Sequence, residues 1–207
     1  QGNMHNQGTP RYDGPRELAQ SLTALAHMDA TQATWNREGL REDSEYRDLG
    51  LAAVRERLHW FPRDVWLYRM ANQWRRIDQE EPWIGRCGDV GDELGSRIVA
   101  SRLIVELMRL CFLIEREYWP YFKWFGTAFS RLRCATTLTP IFHDVMNASD
   151  WKAREVMIGG AYLHVGAMHN ELGVTEVVEP RLAKFFGRPY QVPHAMRFVD
   201  ALTGALE

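Results

Sequence analysis

Charged side chains set among apolar ones at helical spacing are the first sign of chemistry in this 207-residue chain. Between Trp83 and Leu132, Glu93 and Arg97 stand four residues apart, so on a helix they share a face. Arg102, Glu106 and Arg109 form a second polar line, each about one turn from the next. An arginine in apolar surroundings needs either a carboxylate or a ligand anion. Two readings follow: an internal ion-pair ladder that orders the fold, or a basic groove for phosphate or carboxylate. Arg86, in the glycine-rich stretch just before, would face the same groove. Further on, Lys123 stands among the five aromatics of Tyr118–Trp124, where Pro120 interrupts the chain. A lysine there snorkels to water, lies over a ring, or donates to a phosphate beside an aromatic stacking wall.

Other chemistry is missing or thin. The chain has no GxxxxGK[ST], GxGxxG, HExxH or GxSxG string. Gly95-Ser96 opens like a nucleotidyltransferase signature, which requires two nearby carboxylates to hold Mg²⁺ against a triphosphate. Arg97-Ile98-Val99-Ala100 follows instead. No catalytic residue is assigned, and the chain is not expected to catalyse alone. Arg188 and His194, with five residues between them, match a loose ribonuclease pattern in which His transfers a proton and Arg stabilises the phosphorane. The flanking Pro189 and Pro193 fit a surface turn equally. His164 and His169 lie about 140° apart around a helix, so they do not make a metal pair. No metal site is assigned. His143-Asp144 reads as a solvated or packed pair, and Gly159-Gly160 as a close helix contact.

The elements that must position these residues are helical. Leu18–Ala26 and Leu49–Trp60 carry apolar residues at three- and four-residue spacing. Pro62 opens a helix that Pro82 ends, with Val65, Trp66, Met70, Trp74 and Ile77 on one face. Gly85, Gly88 and Gly91 punctuate a loop. The longest helix runs from about Asp92, its cap, to Tyr118. Tyr121–Cys134, Pro140–Asn147, Asp150–Leu172 (stopped by Gly173) and His194–Leu206 complete the set. No alternating strand run exceeds about four residues. The expected class is all-α: a bundle of about six to eight helices with one long central helix. Residues 1–14 read as a flexible polar arm and 15–207 as a single domain.

Composition excludes several roles. With 25 basic and 27 acidic residues, net charge −2, there is no strong nucleic-acid signal and no polybasic membrane anchor. No stretch of 18 apolar residues suggests a span, and residues 1–10 do not read as a secretory signal. Cys87, Cys111 and Cys134 have no CxxC spacing, which fits a reducing cytoplasm, with Cys111 a core thiol. Eight tryptophans imply an aromatic core, an association surface, or both.

Several strings together carry a family resemblance. They are Trp66-Leu67-Tyr68-Arg69, Gln73-Trp74-Arg75-Arg76-Ile77, Gly91-Asp92-Glu93-Leu94-Gly95-Ser96, Leu107–Leu113 and Pro120-Tyr121-Phe122-Lys123-Trp124-Phe125-Gly126-Thr127-Ala128-Phe129, with Phe186–Val192 near the end. Over roughly residues 50–200 the chain resembles domain-of-unknown-function family 4037. That family is met as the helical portion behind a nucleotidyltransferase-like domain. No nucleotidyltransferase core precedes Leu49, so the chain is expected to be a fragment, a split protein or a stand-alone helical relative. The resemblance implies a helical unit that binds a nucleotide or acceptor and shapes a cleft. By analogy with two-domain nucleotidyltransferases, Lys123 would meet phosphate, with Arg97 and Arg86 next. Asp92 and Glu93 would meet an acceptor or metal, and Tyr121 and Trp124 a base or ring. A nucleoside triphosphate with Mg²⁺, a small-molecule acceptor and a nucleotidyltransferase domain or chain are the implied partners. The rival expectation is a non-catalytic interaction module that binds a helical partner or a second copy of itself.

Overall fold

The computed structural model describes residues 58–206, and the expectations for residues 1–57 lie outside them. Seven α-helices and one 3-10 turn make up the described region, with a two-stranded hairpin near its end. Helix α1 is Arg63–Glu80, following Pro62, whose fixed φ of −51° suits a helix entry. Its inner face buries Val65, Trp66, Met70, Trp74 and Ile77, as the spacing requires. Helix α2 is Trp83–Asp89, where the glycine spacing predicted loop. A Cβ on Gly85 would lie 2.3 Å from the Tyr190 ring, and one on Gly88 2.1 Å from Trp151. These glycines are seats for aromatic rings rather than turn points, which local sequence does not reveal.

Helix α3, Glu93–Ile114, is the central one, about 33 Å long at 1.5 Å per residue. Asp92 caps it, its carboxylate accepting the Gly95 N–H at 2.7 Å. Its C-terminal half is buried almost all round: Leu110, Cys111, Phe112, Leu113 and Ile114 are all in the core. It stops four residues short of the expected Tyr118. Arg116 takes φ 57°, and the Glu117 and Arg116 N–H groups close onto Phe112 O (2.9 Å) and Leu113 O (3.3 Å). That is a left-handed helix stop built on arginine instead of glycine. Its guanidinium lies 4.3 Å over the Trp66 ring, a contact that holds the strained position. The Trp66 indole in turn donates to Leu113 O at 2.7 Å, tying α1 to the same stop.

The chain then makes a 3-10 turn, Phe122–Trp124, and the five-residue helix α4, Phe125–Phe129. Together these are shorter than the continuous helix expected over Tyr121–Cys134. Helix α5 is Ala135–Asn147 and contains Pro140, which the sequence reading placed at its start. The ring sits on the exposed side, where a missing N–H is least costly. Helix α6 is Trp151–Glu171, capped by Asp150 through the Ala153 N–H at 2.9 Å. Gly173, at φ 62°, follows it as the expected stop.

Strands β1, Ala183–Lys184, and β2, Gln191–Val192, pair antiparallel with Ala183 opposite Val192. Phe186 (φ 42°) and Gly187 (φ 79°) form the turn, closed by Arg188 N–H to Phe185 O at 2.8 Å. Helix α7, Met196–Gly204, packs on α1. Phe198 stacks on Trp74 at 4.1 Å with 9° between planes. The two N–H groups that open α7 are met by acids from elsewhere. Glu81 accepts from Ala195 N at 3.0 Å and Asp78 from Met196 N at 3.1 Å. Helices α1, α2, α5 and α6 surround α3. No helix among the described residues is long and apolar enough to cross a membrane.

Candidate functional site

The residues singled out by spacing fall at opposite ends of α3. At its N-terminus, Glu93 accepts from Nη2 of Arg154 at 2.5 Å and lies 3.6 Å from Nε of Arg97. Arg154 is fully buried; its Nη1 donates to Ser96 Oγ at 2.8 Å and Nη2 also to Ala148 O at 3.3 Å. Arg97 reaches Ala148 O at 3.2 Å and Ser149 O at 3.5 Å. The Asp92–Ser96 string is thus a clamp that fastens the start of α3 to the start of α6. Both helix starts are closed by their own aspartates, which occupy backbone donors a phosphate would need. Asp92, Glu93 and Arg97 all make contacts within this frame. Arg86 is exposed at the same end. It lies with Arg188 around the hydrogen bond from the Tyr190 hydroxyl to Asp89.

Arg154 and Ser96 were not among the expected site residues. Their signal was there: Asp150 marks the start of a helix, and an arginine one turn later falls inside the bundle. Spacing alone does not say that Glu93 is its partner, 61 residues away in sequence.

The line Arg102, Glu106, Arg109 is paired as a ladder, but one that runs along a partly exposed seam rather than inside the bundle. Arg102 pairs with Glu80, and Arg109 donates to Glu106 at 2.8 Å. Glu106 also accepts from Gln73 at 2.5 Å and lies 4.0 Å from Arg76. These contacts join α3 to α1. Beneath them lie buried titratable groups. Burial pushes the Glu81 carboxyl up to about 8, against the Ala195 N–H that favours its charge. Burial also takes His169 down to about 4. Its ring sits between the Trp74 indole N–H at 3.3 Å and Thr175 Oγ1 at 3.2 Å. His169 is a packed core residue. Arg188 and His194 diverge: Arg188 faces Tyr190–Asp89, while His194 contacts Lys184 O at 3.2 Å and the edge of Phe186.

Past the C-terminal end of α3, Tyr121 (58% exposed), Phe122 and Trp124 (49% exposed) present aromatic surface. Lys123 Nζ lies 5.1 Å over the Trp124 ring, and no ion pair among the described residues includes it. Phe122 stacks on Phe125 at 5.6 Å, and Phe125 packs on Phe112 at 5.4 Å, which fixes the corner to the core. Phe112 lies about 22 Å along the axis from Arg97. Lys123 and Trp124, with Tyr121 beside them in sequence, therefore stand apart from Glu93 and Arg97 at the start of α3.

Directly after Trp124, α4 walls a pocket of about 370 Å³ against α3 and α5. Ile104, Met108, Phe129, Phe142 and Met146 give it an apolar lining, with Ser101, Ser130, Thr139 and His143 the polar members. Of these, His143 alone was weighed in the sequence, as half of a solvated or packed pair with Asp144. A pocket between three helices has no local signature.

Residues 40–125 match the family described as Domain of unknown function (DUF4037). The match carries the family resemblance, and its description names no activity. It spans Arg86 to Trp124 and ends at Phe125, so most of the pocket wall lies beyond it. No curated protein and no solved structure matches the chain.

Proposed function

Taking the family of residues 40–125 as the premise, we propose that this chain is the helical substrate-binding unit of a nucleotidyltransferase-like system. It holds a nucleoside triphosphate or the acceptor and shapes one side of a cleft. The metal-bound carboxylates come from a nucleotidyltransferase domain or chain outside the described residues. The observation that carries this reading is the Tyr121–Trp124 corner. An ammonium with no carboxylate partner among the described residues lies 5.1 Å over the exposed Trp124 ring. Such a group meets a phosphate by charge, and the exposed Trp124 indole beside it is the kind of surface on which a base stacks. The three free thiols, two of them buried, fit a reducing cytoplasm as its setting.

Calorimetric titration of the chain with each nucleoside triphosphate, with and without Mg²⁺, tests the reading. Saturable binding that Lys123→Ala weakens about tenfold, and Lys123→Arg partly restores, supports it. No heat up to millimolar nucleotide overturns it. That result would favour the second reading, a non-catalytic interaction module. Its specific support is Leu94 (70% exposed) and Ile98 (52% exposed), four apart on the outer face of α3. Light scattering of the chain alone would then separate self-association from a need for a different partner.

A further inference from the structure

We propose that the pocket between α3, α4 and α5 is a binding site for a compact, uncharged, largely apolar molecule that carries a hydroxyl or N–H donor. Its volume, about 370 Å³, lies in the range of small-molecule sites. The lining sorts the ligand. Ile104, Phe129 and Phe142 are fixed apolar walls, with the two rings 5.8 Å apart. Met108 and Met146 are flexible thioethers that adapt to an occupant, and Met146 stands at the exposed rim. Two of the four polar lining side chains, Ser101 and Ser130, ask for a donor. Ser101 already gives its hydroxyl proton to Ile98 O at 2.7 Å, and Ser130 gives its own to Thr127 O at 2.8 Å. Both oxygens are left as acceptors.

Gly126 is the independent observation. It sits within helix α4, where glycine is locally unfavourable. Its φ is not in the left-handed region, and a Cβ there would meet nothing within 4 Å. Neither backbone conformation nor close packing requires glycine at this place. It lines the pocket, and a larger side chain would take the ligand's room.

The inference stands on the pocket alone and holds whether or not Lys123 meets a nucleotide. The test uses the full chain with ¹³C-labelled methionine methyls, titrated with phenol and followed by NMR. The Met108 and Met146 methyls should shift together and saturate, while Met70, fully buried on α1, stays fixed. Gly126→Leu should weaken that binding at least tenfold with its unfolding midpoint preserved. If Gly126→Leu does not fold, Met146→Trp at the rim is the second block, with the same expected loss. Absence of saturable shifts, equal shifts at Met70, or unchanged affinity in the folded blocking variant each overturns the proposal.

Discussion

At Arg154 a full positive charge sits out of reach of water, held by Glu93, the Ser96 hydroxyl and the Ala148 carbonyl. Glu93→Gln leaves that charge without its counter-ion, and a charged hydrogen bond of this kind is worth about 2–3 kcal/mol. Arg154→Ala removes the charge but opens a hole and strands the acceptors, at about 3–5 kcal/mol. Urea unfolding measures both; losses under about 0.5 kcal/mol, the level of inert surface changes, would mean that the clamp holds nothing. Glu81 and His169 make stability depend on pH in opposite senses. Glu81 is raised in the fold from 4.5 to about 8, so its contribution is full below 4.5 and is lost as pH rises to 8. His169 is lowered from 6.5 to about 4, so its contribution is full above 6.5 and is lost as pH falls to 4. Between 4.5 and 6.5 the two slopes oppose. From 6.5 to 8 that of Glu81 stands alone of the pair. Glu81→Gln keeps an acceptor for the Ala195 N–H and cannot ionise. Its advantage over the unmodified chain should therefore grow across that upper window in thermal unfolding. A constant difference from pH 6.5 to 8 would show that Glu81 does not titrate there.

The helices themselves are set by patterns that are visible in the chain. Period marks α1, α3 and α6, while Asp92, Asp150 and Gly173 set the ends that capping chemistry predicts. What was not visible depends on distant partners. Gly85 and Gly88 look like loop punctuation, yet α2 is helical because Tyr190 and Trp151 press onto them from 105 and 63 residues away. Arg116 ends α3 in a conformation that sequence rules assign to glycine, because Trp66 holds its side chain. The hairpin strands are two residues each, too short for alternation to register. Glycine substitutions separate the two causes at this scale. Gly88→Ala drives a methyl into the Trp151 ring and should cost about 1–3 kcal/mol. Gly126→Ala meets nothing and should stabilise by up to about 1 kcal/mol, the helix propensity difference. Equal effects of the two in denaturant unfolding would remove the distinction between a packed glycine and an open one.

Across the whole molecule, α3 is a spar with different work at its two ends. Types and spacing picked out charged residues along this stretch, but could not say that Arg97 and Lys123 stand at separate places. That separation follows from where α3 stops and how Phe122 and Phe125 fold the following turn onto Phe112, both tertiary facts. The spar predicts a double dissociation. Arg97 is spent on the Ala148 and Ser149 carbonyls and on Glu93, so Arg97→Ala should cost about 1–2 kcal/mol of stability. Triphosphate affinity, measured on the folded chain, should be unchanged by it. Lys123 has no carboxylate to lose among the described residues, so Lys123→Ala should leave stability within about 0.5 kcal/mol. It should lower triphosphate affinity about tenfold, which corresponds to one contact of about 1.4 kcal/mol. If Arg97→Ala instead abolishes binding at constant stability, the ligand sits at the start of α3, beside Glu93 and Arg154. If neither variant changes affinity, the Lys123–Trp124 corner belongs to a protein interface, and the outer face at Leu94 and Ile98 becomes the next surface to map.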